Sequence, residues 1–535
     1  MREGAKAVLA GSIAGLGNSY VITLAAVNTQ SGDSLAREQV EAPSKEQVLK
    51  ALDKGASSLR EKLGESLVSV QKFATPLEQA TTSSLEALQA FSLGQAQHQA
   101  SRDDRAIPHL KRAVELDPNF AMAYGTLGVV YDNMSERKLG VEALKKAFDL
   151  RDRASERERF YISAHYYGEA TGEIEKGAEI YEQWKQSYPR DNVPPDNLSL
   201  MYGGIGQMDK ALANGLQALQ IDSKDTYAYQ NVSAAYEFLG RYDEARAIAE
   251  QATAQKADSF SVHLVLYQLA FLRGDLATMQ HEAERAAGTS DEPFLLTWAC
   301  NSKYFQGHVR EARELCSSAA QKAEQNQFKG FAAIIRAAEG STEAEIGNQD
   351  AARRQTQTAL ATADEKDTRS IAAPTFGRVG DAGQAEKLIA DLSKQFPSDT
   401  ILNKITLAVA RAAIALQSKQ PAQAVDALES ARPYEMGGGP GGPDFWVPYL
   451  RAEAYRDLHD PAKALVEYQK IADHRGLNVL SPLYVLARLG AARAYAQQGD
   501  TAKSRAAYQD FFAFWKDADP DVPVLKQAKA EYEKL

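Results

Sequence analysis

The residues with the clearest chemistry in this sequence are its two cysteines, Cys300 and Cys316, which lie close together in the chain. Two nearby thiols can form one disulfide bond, or they can remain as two small buried side chains. They are too few for a disulfide scaffold or for a structural zinc site. One disulfide and two free thiols therefore stay open as alternatives at this point.

The eight histidines are scattered along the chain without the spacing of metal ligands. His281 is followed by a glutamate, but the second histidine of a zinc-binding helix motif is missing. We interpret the histidines as exposed or hydrogen-bonded side chains. The sequence therefore predicts no metal site and no cofactor.

Two segments contain residue types that are typical of kinase catalytic loops or of phosphate-binding loops. Residues 473–476, Asp-His-Arg-Gly, resemble a scrambled catalytic loop, and residues 11–17 are rich in glycine. A kinase also needs a glycine loop over the phosphates, a strand lysine and a metal-binding aspartate, and a P-loop needs a Lys-Ser/Thr pair. None of these accompanies either segment, so we interpret the first as a turn and the second as a hairpin. We predict no catalytic residues and no enzyme activity.

Composition limits the class of protein further. The chain has 535 residues, 44% of them hydrophobic and 25% charged, with a net charge of -10. This length predicts several domains or a repeat array, and the acidic balance argues against nucleic acid as the main partner. Apart from the N-terminal segment, no stretch approaches 18 uninterrupted apolar residues, so we predict no membrane span.

The N-terminal 72 residues read as a separate α+β module. Residues 7–27 are mostly apolar and admit an export or anchor segment as an alternative, but their three glycines favour two strands. We predict strands over Ala5–Ile13, Tyr20–Asn28 and Ser34–Glu41, with a turn at residues 15–18. A helix over Lys45–Leu67 follows.

The segments GAKAVLAGSI and YVITLAAVNTQSGD, together with the helix after them, resemble the second half of a TolB-like amino-terminal domain. The resemblance implies that the earlier βα portion of such a domain is missing. Residues 1–72 are therefore expected to be a partial TolB-like module, and 73–86 a linker.

From residue 87 the pattern changes to helix pairs with a period close to 34 residues. Small residues, aromatic residues and alanines return in one register, as in Gly94, Ala106, Ala113 and Pro118, then Tyr124, Leu127, Gly128, Tyr131, Gly140, Leu144 and Ala147, then Tyr229, Val232, Tyr236, Ala245 and Ala252. This pattern resembles the tetratricopeptide repeat, abbreviated TPR, in which small residues let the two helices approach closely. The resemblance predicts a mainly α protein, a TPR superhelix behind a small α+β module.

The register places twelve repeats on the chain. Their predicted starts lie near residues 87, 121, 158, 192, 226, 260, 293, 333, 366, 405, 445 and 485. We expect regular repeats over 87–330, degenerate repeats over 331–436, a Gly/Pro loop over 437–444 and further repeats over 445–535. In this register Cys300 is in helix A and Cys316 in helix B of one repeat, at facing places, so a disulfide is geometrically allowed.

A TPR superhelix implies a concave groove lined by helix A, where an extended peptide or a partner helix could lie. The candidates are polar or aromatic residues on helix A: Tyr227, Gln230, Asn231, Glu237, Asn301, Tyr304, Trp446 and Tyr449. They do not form the basic carboxylate clamp of chaperone-binding TPRs. We predict a protein or peptide partner, while the oligomeric state stays open.

The segments FWVPYLRAEAYRDL (445–458), YQKIADHRGLNVL (468–480) and residues 487–532 resemble the TPR tails of acidobacterial-type serine/threonine protein kinases. The resemblance covers nearly the whole chain, but the kinase part has no counterpart. It implies an interaction scaffold, the sensor or docking part of a signalling system. A kinase relative without catalytic motifs and a periplasmic assembly protein remain alternatives. The default location is cytoplasmic, with an extracytoplasmic one open if the chain belongs to a membrane kinase.

Overall fold

The computed structural model describes residues 7–65, 82–439 and 442–535. Contacts divide the chain into two compact units. The first contains residues 1–98, 105–130 and 142–165, and the second contains 99–104, 131–141 and 166–535.

The first unit begins with a three-stranded antiparallel sheet of order β1-β2-β3. The strands are β1 (Ala7–Leu16), β2 (Ser19–Asn28) and β3 (Ser34–Ala42), and helix α1 (Val48–Lys62) follows a 3-10 turn. Three predicted strands and one helix are therefore present. The helix ends at Lys62, before a turn at Leu63 and Gly64, so it is shorter than the predicted helix that ends at residue 67. The predicted strand start at residue 5 and residues 73–81 of the predicted linker lie outside the described residues.

The first hairpin is tighter than predicted. Strand β1 continues to Leu16, which pairs with Ser19, so the turn contains only Gly17 and Asn18. Gly17 has φ of 60°, the conformation that a two-residue hairpin of type II′ requires at its first central position. Helix α1 packs on β2 and β3 around Ile22, whereas Leu9 of the outer strand is 69% exposed.

The rest of the described chain is mainly α-helical: twelve helix pairs follow one another, and one further helix comes after the last pair. In each pair the first helix is A and the second is B. The helices are α2 (Leu85–Gln99), α3 (Asp103–Leu116), α4 (Ala121–Asn133), α5 (Arg137–Asp149), α6 (Glu156–His165), α7 (Ile174–Ser187), α8 (Val193–Gly204), α9 (Met208–Ile221), α10 (Thr226–Phe238), α11 (Tyr242–Ala254), α12 (Phe260–Arg273), α13 (Leu276–Ala286), α14 (Glu292–Gln306), α15 (Val309–Gln325), α16 (Lys329–Glu345), α17 (Gln349–Thr362), α18 (Lys366–Arg378), α19 (Ala382–Gln395), α20 (Leu407–Gln417), α21 (Pro421–Leu428), α22 (Trp446–Asp457), α23 (Pro461–Asp473), α24 (Pro482–Gln497), α25 (Thr501–Phe514) and α26 (Pro523–Tyr532).

Two of the A helices carry a π-helical turn, Tyr166–Thr171 after α6 and Leu402–Thr406 before α20. Residues 331–436, predicted to be degenerate repeats, form helix pairs like their neighbours. In the predicted Gly/Pro loop, Gly438–Gly439 pairs with Gly442–Pro443 as two short strands, β4 and β5.

None of the helices in the described residues is both long and apolar enough to span a bilayer.

Glycines allow close crossings within a helix pair and between neighbouring pairs. A Cβ atom on Gly94 would lie 2.7 Å from Cγ of Leu110, and one on Gly490 would lie 2.2 Å from the ring of Tyr468. Only a residue without a side chain fits at such distances, because a packed interior has no room to yield. The small residues of the TPR pattern therefore have a direct packing role.

Within the second unit, turns between helices A and B contact segments much later in the chain. We call these contacts the seam. Five of these turns contain a glycine with positive φ, which ends helix A: Gly172, Gly206, Gly240, Gly307 and Gly347. Hydrogen bonds across the seam join residues 178 to 259 positions apart. The array of the second unit therefore coils until one superhelical turn touches the next.

The seam supplies donors to the carbonyl groups at the ends of A helices, which lack partners within the helix. The donor–acceptor pairs are Thr400 N to Gly172 O at 2.9 Å, Asp519 N to Gly307 O at 3.0 Å, Val524 N to Ile346 O at 3.2 Å, and Trp515 Nε1 to Phe305 O at 2.9 Å. These bonds hold the successive turns of the superhelix together.

We expect Gly476→Ala to disrupt the seam. A Cβ atom there would lie 1.9 Å from the carbonyl oxygen of Glu237, so the two backbones must separate. Overpacking of this kind costs about 1 to 3 kcal/mol, to be measured as a lower midpoint of urea unfolding and faster amide exchange around Gly240. Gly383→Ala is the matched control, since nothing lies within 4 Å of its Cβ position. Equal unfolding midpoints for both variants and the wild type would contradict a close contact between Gly476 and Glu237 at the seam.

Candidate functional site

Three of the predicted groove residues share one face of helix α10. Asp225 caps this helix, because its side chain accepts hydrogen bonds from the amides of Tyr227 (3.0 Å) and Ala228 (3.2 Å). Tyr227, Gln230 and Asn231 then follow at the i, i+3, i+4 spacing that places side chains side by side. All three are partly exposed.

This face is a hydrogen-bonding surface. Asn231 Nδ2 donates to Oδ1 of Asp196 on helix α8 at 2.8 Å. The hydroxyl of Tyr227 lies 3.4 Å from both carboxylate oxygens of Asp103. Burial, with the nearby carboxyl group of Asp225, raises the pKa of Asp196 well above its ordinary value. The sequence reasoning missed Asp196 and Asp103, because an aspartate on a helix looks like any other solvated charge.

Three other predicted groove residues are not accessible, and this corrects the prediction. Glu237 and Tyr304 are each 1% exposed, and Tyr449 is 7% exposed. The Tyr304 hydroxyl donates to Oε1 of buried Glu343 at 2.7 Å, and burial raises the pKa of Glu237 well above its usual range. These side chains support the packing of the repeats and do not line an open surface.

Asn301 and Trp446, the two remaining candidates, are partly exposed. They lie on helices α14 and α22, in repeats other than that of α10. The accessible part of the predicted site is therefore the trio on α10 with these two separate positions.

The structure joins Cys300 and Cys316 in a disulfide, with the two Cα atoms 5.4 Å apart. The bond connects helix α14 to helix α15 within one pair, at the facing positions that the register predicts. Cys300 is 0% and Cys316 is 3% exposed, so neither sulfur is a surface thiol. Of the two alternatives, the disulfide is the one that the structure contains.

His263 is the centre of a charged cluster in the second unit. Its Nε2 lies 3.0 Å from Oδ2 of Asp258, and its Nδ1 lies 2.9 Å from Oε2 of Glu282. Burial lowers the pKa of His263, but the facing carboxylates of Glu282 and Asp258 outweigh it, so the pKa is raised overall. Nη2 of Arg285 lies 2.8 Å from Nε2 of His263. Asp291 interacts electrostatically with His263 at longer range.

We expect His263→Gln to lower the free energy of unfolding by about 1 to 2 kcal/mol at pH 6, the value of charge-assisted hydrogen bonds. Because the folded-state pKa is raised, this contribution is complete below the unfolded pKa and disappears as the pH rises through the folded pKa. Urea unfolding of wild type and variant from pH 5 to 9 measures the difference. The control is exposed His281→Gln on α13. A difference that does not change with pH would contradict the charged role of His263.

A family model for the tetratricopeptide repeat matches residues 226–258. This segment contains the helix pair α10–α11, which carries the accessible trio. It is a tetratricopeptide repeat. No curated protein matches the chain, and no catalytic family is indicated.

Several solved structures are similar to this TPR-containing chain in part. The crystal structure of MamA is 23% identical, covers 32% of this chain and 92% of its own, and has a TM-score of 0.21. Pseudomonas aeruginosa pilF is 19% identical, with 39% and 95% covered and a TM-score of 0.26. The APC/C hetero-tetramer Cut9-Hcn1 is 13% identical, with 90% and 94% covered and a TM-score of 0.39.

Proposed function

We propose that the chain is a non-catalytic scaffold that binds a peptide or a partner helix through the A helices of its repeats. The observation that carries the proposal is the repeat at 226–258, in which Tyr227, Gln230 and Asn231 form a partly exposed polar face on helix A. Stacked repeats of this kind offer extended surfaces for protein partners. Amide and hydroxyl groups suit the capture of a peptide backbone better than they suit catalysis.

Photo-crosslinking tests this proposal. A photoreactive phenylalanine analogue is placed at Gln230 on helix A or at exposed Glu250 on helix B of the same repeat. In the native cell we expect a discrete crosslinked partner from position 230 and none from position 250. A synthetic peptide from the crosslinked segment should then compete for the site. Equal crosslinking from both positions, or no competition, would contradict binding at helix A.

The disulfide favours the extracytoplasmic alternative over the cytoplasmic default. Disulfides persist in oxidising compartments and are rare where thiols are kept reduced. We therefore propose that the scaffold works outside the cytoplasm. Titration of the denatured, unreduced native protein with a thiol reagent should find no free thiol, and fractionation should recover the protein outside the cytoplasm. Two titratable thiols would overturn this placement.

The finer assignment is the sensor or docking part of a signalling system related to TPR-tailed serine/threonine kinases, with a partial TolB-like module. It is supported by the sequence resemblance alone. The purified chain should not turn over ATP, since the phosphate-binding and metal-binding motifs are missing. ATP turnover above background would reverse the non-catalytic assignment.

A further inference from the structure

The 3-10 turn Arg475–Leu477, between helices α23 and α24, brings an arginine into the seam. Gly476 lies directly against the backbone of Glu237 and Gly240, which fixes the position of the turn. Arg475 then enters a cleft of about 450 Å³ that is also lined by residues 240–244, Leu272 and Arg273. The sequence predicted only a turn here, because no motif marks an arginine that acts across the superhelix.

The guanidinium group of Arg475 has no carboxylate partner among the described residues, and its Nε atom is buried without an acceptor. Its Cζ atom lies 5.1 Å from the ring centre of Tyr484 and 5.7 Å from that of Phe305. These rings hold the side chain in place but do not neutralise its charge. Burial lowers the pKa of Arg475, which reflects the missing counterion.

The other arginines of the cleft are already paired. Arg273 Nη2 lies 2.6 Å from Asp243, and Arg241 Nη2 lies 2.9 Å from Glu244. The two acidic side chains that line the cleft are therefore engaged by exposed arginines at its rim. Arg475 is left as the cation that can accept an outside anion.

A second arginine strengthens the positive charge. Arg488 lies 3.9 Å from the ring centre of Tyr484, donates to its hydroxyl at 2.6 Å, and has no ion pair within the described part of the chain. Both guanidinium groups thus contact Tyr484. Arg475 is the unpaired cation that lines the cleft, and a guanidinium group binds an anion with two oxygens in a bidentate manner.

We infer that this cleft binds a carboxylate side chain of a partner peptide. Arg475 binds the carboxylate, and Leu272 contacts a neighbouring apolar side chain of the peptide. The inference rests on the proposed scaffold function and names an acidic–apolar motif in its partner. The volume is larger than an inorganic ion needs, which favours a peptide side chain over phosphate.

The probes are the capped dipeptides acetyl-Leu-Glu-amide and acetyl-Leu-Gln-amide, titrated into the purified full chain by ligand-observed NMR. We expect the glutamate peptide to bind at least about tenfold more tightly than the glutamine peptide. Arg475→Gln should remove that preference, whereas Arg475→Lys should keep part of it. The matched control Arg273→Gln, in the same cleft but paired with Asp243, should retain it within about twofold.

Equal binding of the two peptides by the wild type, or an unchanged preference in Arg475→Gln, would overturn the inference. So would competition by inorganic phosphate as strong as that by the glutamate peptide, because the site would then be a simple anion site. The comparison of the two peptides on the wild-type protein tests the inference even if a variant fails to fold. These titrations need no natural partner, so they can fail while the crosslinking at position 230 succeeds, and the reverse.

Discussion

Replacing Arg378 with methionine is expected to lower the free energy of unfolding by about 3 to 5 kcal/mol, the cost of removing one partner of a buried ion pair. Arg378 ends helix α18, and its guanidinium group donates to both oxygens of Glu345 at 2.5 and 2.7 Å. It also lies 2.9 Å from Oε2 of Glu453. The side chain of Glu345 is 1% exposed, so the variant leaves a carboxylate that water cannot reach.

The loss should grow with pH. Burial already raises the pKa of Glu345, and without Arg378 it must rise further. A carboxyl group with a raised folded-state pKa loses stability as the pH increases through that pKa. Urea unfolding should therefore show a smaller difference from the wild type at pH 5 than at pH 8.

The matched control is Arg241→Met, which removes an ion pair with Glu244 whose side chains are 46% and 48% exposed. Exposed pairs contribute about 0 to 1 kcal/mol, so this variant should unfold near the wild type. A double variant that also carries Glu345→Met should recover part of the loss, because the unpaired buried carboxylate is then gone. If Arg378→Met resembles Arg241→Met, the pair does not carry the stability assigned to it.

The sequence predicted the helix pairs closely because each repeat is a local unit. The helix A starts lie within four residues of the predicted ones, even where the repeats match the pattern poorly, as at Lys329 and Leu402. Small residues at the crossings and glycines after helix A are local signals, and they act over one helix pair. This is why a periodic pattern was sufficient for the array.

The seam could not be predicted in the same way. A glycine after helix A, such as Gly240, is already explained by the left-handed end of a helix, so it gives no sign of a distant neighbour. The closeness of Gly476 to Glu237 depends on small rotations summed over several repeats. Local patterns do not fix such a sum, and Arg475 was missed as a binding candidate for that reason.

The predicted groove residues also differ in whether local sequence or distant partners decide their exposure. Tyr227, Gln230 and Asn231 lie partly exposed on one helix face, because helical spacing decides it, and their place in a groove stays a prediction. Tyr304 and Tyr449 were misjudged because their burial depends on charged partners elsewhere: Glu343 for the first, and Arg378 with its glutamates near the second. An aromatic residue with a polar tip looks the same in sequence whether it faces water or a buried carboxylate.

Removal of the disulfide in a Cys300→Ala/Cys316→Ala double variant is expected to lower the free energy of unfolding by about 3 kcal/mol. The two cysteines are 16 positions apart, so the bond closes a short loop and restricts the unfolded chain. A reductant provides the matched comparison. It should lower the urea midpoint of the wild type toward that of the double variant, and leave the double variant unchanged.

The rate at which reductant lowers the urea midpoint shows whether the disulfide is accessible in the folded protein. Because both sulfurs are buried, reductant should act on the wild type only when helices α14 and α15 separate, so the shift should be slow in buffer and fast in urea. A bond that needs local unfolding to be reduced acts as a structural link between the two helices, not as a redox sensor. Immediate loss of the bond in native buffer, without any change in the urea midpoint, would contradict that role and weaken the extracytoplasmic placement that depends on it.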